Sequence, residues 1–234
     1  MSAGADYCIE IHGTYIDTRI CLIGIEAGCA NWSKESKERK SVENLRLNKK
    51  DALGVWLKQW GLRRAISIPS ESIVTAILNE QRASFMRCNA GDAWKVDEIA
   101  NAMKDIAELN KRHLSLAAKF AFSMSPGVFF PYDQYSRRAL LVLLPGHRGC
   151  KSYAEYMSKV EPLLADYIKQ CHKNRRLGKT LANAMNEFGL GVDQRDICLR
   201  RGLDKTLMLI GGFGRLRMDE EVASVRKVTR GGRR

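Results

Sequence analysis

LSLAAKFAFSM, residues 114–124, is the most informative stretch of this chain. On a helix of about 100° per residue its apolar side chains cover nearly the whole circumference. Only Ser115, Lys119 and Ser123 interrupt them, four apart, in one narrow polar stripe. A helix that is apolar on almost every side is buried on almost every side. The fold class that follows is mainly α. Lys119 then leaves the core along that stripe, and two readings of it stand. Burial disfavours the ammonium form, and a neutral amine is a nucleophile. Alternatively, the stem packs while the ammonium reaches solvent or a carboxylate.

Helical periodicity continues on both sides. Upstream, Ala52, Val55, Trp56 and Trp60 mark one apolar face, widened by Leu53 and Leu57, and Gly61 is the expected stop. A second helix is predicted after Pro69, with Ser70 as N-cap and Ile73, Ala76 and Ile77 facing inward. A third spans 94–112, with Ile99, Met103, Ile106 and Leu109 inward. Downstream, Pro126, Gly127 and Pro131 break the chain before a helix over roughly 133–144, for which Asp133 is the expected N-cap. LPGHRGCKS reads as a loop, and 152–172 as a helix that Pro162 should kink or split. Two or three shorter helices precede Gly211-Gly212. The first forty residues differ. Ile9, Ile11, Tyr15, Ile20, Leu22, Ile23 and Ile25, broken by Gly13 and Gly24, suggest a small β-hairpin or irregular arm. The expected organisation is an arm and polar linker over 1–44, a helical domain over 45–215 and a basic, flexible tail over 216–234.

Composition limits the function. With 45% hydrophobic and 28% charged residues the chain is globular rather than disordered. Lys plus Arg number 39 against 26 Asp plus Glu, a net +13. Such a surplus favours a polyanion, and nucleic acid, DNA ahead of RNA, is the expected partner. No apolar run approaches the roughly 18 residues that span a bilayer, so no membrane partner is expected. The start lacks the basic-then-apolar pattern of a secretory signal, and the expectation is a cytoplasmic, nucleoid or nuclear protein that is not secreted. The seven cysteines include no C-x-x-C pair; reduced, mostly buried thiols are expected, and no metal or cofactor is implied.

The basic candidates for phosphate contact fall in four groups: Arg137 and Arg138; Lys173, Arg175, Arg176 and Lys179; Arg200 and Arg201; and Arg226, Lys227 and Arg230 in the tail, with Arg233 and Arg234 beyond. Phe130, Tyr132 and Tyr135 are candidates to stack on an extruded base, with core packing as the competing role. No G-x-S-x-G elbow and no P-loop is present.

The run SLAAKFAFSMSPGVFFPYD, Ser115 to Asp133, resembles the catalytic segment of the helix-hairpin-helix DNA glycosylase superfamily, especially its 8-oxoguanine glycosylase-like branch. The resemblance implies a helical fold of that kind. It matches Lys119 to the lysine that attacks the sugar and Asp133 to the assisting carboxylate, and so implies base excision with strand cleavage. The glycine-rich turn that precedes the lysine in that superfamily is replaced here by KRHLSLAAK, which has no glycine. The alternative is a non-catalytic DNA- or RNA-binding module on the same helical fold, with a regulatory, defence or assembly role.

Overall fold

The computed structural model describes residues 7–44, 52–62, 70–106 and 112–231. It is mainly helical, with one two-stranded antiparallel hairpin near the N-terminus. The chain divides into two compact units, each described by itself.

The first unit comprises the chain up to Ser36, Asp133–Cys150 and everything from Ser158 onward. It opens with strands β1 (Cys8–Ile11) and β2 (Thr14–Asp17), paired so that Ile9 faces Ile16 and Glu10 faces Tyr15. His12 and Gly13 both take positive φ, 50° and 76°, the backbone of a tight two-residue hairpin turn. Ile9, Ile11 and Ile16 are buried while Tyr15 is exposed, the alternation of a strand pair with one wet face.

A helix, α1 (Thr18–Asn44), follows at once. The expected arm therefore holds its hairpin only to Asp17, and Ile20 to Ile25 are helical. β-branching argued for strand there; packing against α9 (Arg195–Ile210) overrides it. Gly24 and Gly28 meet Gly202 and Thr206 across that crossing. A Cβ on Gly28 would stand 2.5 Å from the Gly202 nitrogen, and one on Gly24 would stand 2.9 Å from the Gly202 oxygen. Only glycine permits backbones so close. α9 is central: Cys198, Leu199 and all of Arg201–Leu207 are buried. Around it lie α6 (Gln134–Leu143), α7 (Tyr153–Lys173, from Ser158 onward in this unit), α8 (Arg175–Glu187) and α10 (Arg215–Gly231). Pro162 does not split α7 into two elements. It lies on the exposed side of the helix.

The expected flexible tail is instead α10. Met218, Val222 and Val225 are buried, and Arg226 reaches both Glu187 and Glu26. Charge count alone concealed the i, i+4, i+7 apolar spacing of those three residues.

The second unit comprises Lys37–Tyr132 and Lys151–Met157. It contains α2 (Ala52–Gln59), α3 (Glu71–Phe85), a short 3₁₀ turn (Ala90–Ala93), α4 (Trp94–Ile106) and α5 (Leu114–Met124). Gly61, at φ 66°, ends α2: its N–H donates to the Lys58 oxygen at 3.1 Å, and the Leu62 N–H to the Leu57 oxygen at 2.6 Å. The buried face of α2 is Leu53, Trp56 and Leu57, while Val55 is exposed. On α3 the buried set is Val74, Ile77, Leu78 and Phe85; Ile73 and Ala76 turn outward, one position off the expected face. Ser70 occupies the N-cap position of α3 without a side-chain cap bond. Ile99 and Met103 of α4 are buried and Ile106 is exposed. Leu109, Arg233 and Arg234 lie outside the described residues, as do the side chains of Ala52 and Arg230.

Rings fill this unit. Phe85 meets Phe120 and Phe129 edge-on at 5.8 and 5.5 Å, and Tyr132 meets Tyr156 at 4.9 Å. The Tyr153 hydroxyl accepts from the Phe130 N–H at 2.9 Å and donates to the Phe130 oxygen at 2.7 Å; Tyr156 donates to the Pro131 oxygen at 3.2 Å. Two phenols thus satisfy a buried loop backbone that has no helix or sheet partner. Asp97 of α4 accepts from the Tyr153 and Ala154 N–H groups at 2.9 and 3.0 Å and pairs with Arg112, capping the first turn of α7.

Candidate nucleic-acid interface

α5 spans Leu114–Met124, as its periodicity predicts, and Leu116, Ala117, Ala118 and Phe120 to Met124 are buried. Lys119 is half-buried. Its Nζ donates to the Trp60 carbonyl at 3.1 Å and stands 5.7 Å from the Trp60 ring centroid. Trp60 follows the last residue of α2, where carbonyls lack intrahelical partners. A cation is favoured at that end of a helix, by the terminal carbonyls and by the helix dipole. Lys119 therefore caps α2, a role close to the snorkelling alternative, with a backbone carbonyl in place of the carboxylate.

Asp133 belongs to the first unit and Lys119 to the second. Asp133 is the N-cap of α6: Oδ1 accepts from the Tyr135 and Ser136 N–H groups, each at 2.8 Å, and the Ser136 hydroxyl closes the box on the Asp133 N–H at 3.3 Å. Of the stacking candidates, Phe130 and Tyr132 are core residues, 0% and 6% exposed, so they offer no face to a base. Tyr135 is half-buried and lies edge-on to Phe213 at 5.3 Å.

The basic candidates separate by their partners. Arg201, 2% exposed, lies inside the unit, bonded at 2.5 Å to both Glu35 and Asp204. Arg200 pairs with Glu161 at 2.9 Å. Arg226 is occupied by Glu187 and Glu26. Arg201 is a buried cation that requires a partner, because water no longer reaches it. Arg200 and Arg226 are half-buried and already engaged by neighbouring acids. Arg137, Arg138 and Lys227 are exposed.

The α7–α8 corner is different. Lys169, His172, Lys173, Arg175, Arg176 and Lys179 are all exposed. No Asp or Glu occurs from residue 167 to 186. Among the described residues no carboxylate lies within ion-pairing distance of these side chains. Asn174 between the helices caps α8, accepting from the Arg176 and Leu177 N–H groups at 3.0 and 3.2 Å. That cap separates α7 from α8, and the cations lie on both helices. Lys169 was not among the sequence candidates, although counting the acid-free interval finds it.

The interior of the first unit holds a charged group around α9. Asp204 is fully buried, and burial pushes its carboxyl up to about 6. Arg201 and Lys205 oppose that shift, while Asp133 and Glu35 add to it. Lys205 pairs with Glu221 at 3.1 Å. Cys21, Cys29, Cys171 and Cys198 are buried, and burial raises the Cys21 thiol and pushes that of Cys171 up to about 12. Among the described residues no cluster of three or more His, Cys, Asp or Glu is arranged to hold a metal. Among them, too, no helix is long and apolar enough to cross a membrane. Comparison with protein-family models, with curated proteins and with solved structures returned no match.

Proposed function

We propose that this chain binds nucleic acid without catalysis, holding phosphates at the α7–α8 corner. The observation that carries this is the corner itself: six exposed basic or histidine side chains on an interval free of acids, in a chain of net charge +13. Like charges left together on a surface repel unless an anion lies among them, and a phosphate backbone supplies one at regular spacing. Fluorescence anisotropy with a labelled duplex should show affinity falling by orders of magnitude between about 50 and 200 mM salt. Reversing Arg175 and Arg176 to Glu should weaken binding about tenfold or more and lower the salt slope by about two. Binding that ignores salt or the double reversal sinks the proposal.

A second reading, base excision with Lys119 as nucleophile, is supported by the half-buried placement of that amine on a mostly buried helix. It requires an imine between Nζ and the sugar C1′. Borohydride trapping on damaged or abasic duplexes decides between the two readings. A covalent adduct lost in Lys119→Gln would overturn the non-catalytic one.

A further inference from the structure

The N-terminal hairpin lies against the same corner. The Gln170 side-chain amide donates to the Glu10 carbonyl at 2.9 Å, and the His12 N–H donates to Asp166 at 3.1 Å, so the hairpin meets the turn of α7 from Asp166 to Gln170, the turn that carries Lys169. Arg176 is near enough to Asp17 to help lower its carboxyl, after the larger effect of hydrogen bonds from Arg19. On the outward face of the hairpin stands Tyr15, 73% exposed, directly across from Glu10. Opposed side chains in an antiparallel pair begin about 5 Å apart. The Tyr15 ring is thus one strand removed from the helix that bears the cations.

An aromatic ring this exposed contributes little to the core it sits on. The packing of the hairpin is done by Ile9, Ile11 and Ile16 on the other face. An open ring beside a file of cations is the arrangement that suits a single strand: phosphates follow the charges and an unpaired base turns onto the ring. Glu10 sharpens the choice, since its exposed carboxylate repels a phosphate backbone laid over the hairpin. The backbone is thereby confined to the helical side. In a duplex the bases are stacked on one another, and the ring would meet only sugar and phosphate.

We infer that the ligand of the corner is single-stranded nucleic acid, with a base stacked on Tyr15; this rests on the phosphate-binding role proposed above. The test uses the full chain with a labelled oligothymidylate of about 16 nucleotides and a duplex of matching length. The single strand should bind more tightly. Tyr15→Ala should weaken it about tenfold while changing duplex affinity less than about twofold, and Tyr15→Phe should restore it, because stacking needs the ring and not the hydroxyl. Tighter duplex binding, or a Tyr15→Ala protein that holds the single strand as well as wild type, overturns this inference. If Arg175→Glu with Arg176→Glu still weakens both probes in that case, the phosphate-binding role survives it. Failure of both probes to bind at low salt removes that role as well.

Discussion

The two units of this chain bury opposite kinds of material. The second is held by rings: Trp60, Phe85, Phe120, Phe122, Phe129, Tyr132, Tyr153 and Tyr156 meet one another at centroid distances from 4.9 to 6.3 Å. Two of its phenols, on Tyr153 and Tyr156, turn onto the buried loop backbone. The first unit packs helices around small residues and sets Arg201, Asp204, Lys205 and Thr206 inside. Aromatic packing is broad and tolerant of small shifts, whereas a buried ion group depends on every partner being present. The two units should therefore fail under different perturbations.

The largest expected effect is at Arg201. Arg201→Met leaves Glu35 and Asp204 facing one another without their cation, and loss of one partner of a buried pair costs about 3–5 kcal/mol. Denaturant unfolding should show the loss at neutral pH and a partial recovery in acid, where Asp204, its carboxyl raised by burial, can protonate. Phe85→Ala in the second unit should cost a similar amount, about 3–5 kcal/mol, at every pH. Equal pH dependence in the two variants would erase the contrast.

Next is the pH dependence of the wild type. The folded-state pKa of Asp204, about 6, lies above its unfolded value of 3.8. Its contribution is fully present below the unfolded value and is lost as pH rises through the folded one. Stability should fall by up to about 3 kcal/mol between pH 4 and 6 from this group and then level off. Asp17 and Asp92, whose carboxyls are lowered by hydrogen bonds, act the other way, and only toward more acid pH. Urea midpoints across that range, compared with those of Asp204→Asn, measure the difference.

A smaller effect tests the glycine crossing. Gly28→Ala puts a methyl against the Gly202 backbone, and overpacking of this kind costs about 1–3 kcal/mol even though alanine favours helix. Thermal melts should register a lower Tm. A raised Tm would mean that α1 and α9 part easily. The smallest effect is at Lys119. Lys119→Met removes the donor to the Trp60 carbonyl at the end of α2 and should cost about 1 kcal/mol. A cost several times larger would point to a wider polar network around the amine.

What could be read from the sequence follows from where its periodicity was unambiguous. LSLAAKFAFSM announced both its helix and its burial because every rotation of the wheel would put apolar side chains in water. Asp133 was legible as a cap because Pro131 and the polar turn after it leave little else for a carboxylate to do. α1 was hidden because Gly24 looks like a break, and only the facing Gly202 shows it, like Gly28, to be a contact point. The wet cations could not be told from the buried ones. Arg175 and Arg201 are alike on paper, and the acids that claim Arg201 come from residues 35 and 204, one of them far away in sequence. Phe130 and Tyr132 were legible as aromatic but not as buried, since their enclosure depends on Tyr153 and Tyr156 more than twenty residues later.

The capping of α7 bears on the order in which the chain folds. Ser152 is a local cap, its hydroxyl accepting from the Glu155 N–H at 3.0 Å, and it can act as soon as the turn forms. Asp97, which holds the Tyr153 N–H, is 56 residues away in sequence. Closing a loop of that size, rather than one of three residues, carries about 2–3 kcal/mol more entropy loss. The Ser152 turn can thus flicker into place early, while the Tyr153 and Ala154 amides stay unprotected until α4 has docked. In a pulse-labelling hydrogen-exchange experiment those two amides should gain protection together with α4, and later than the middle of the helix they begin.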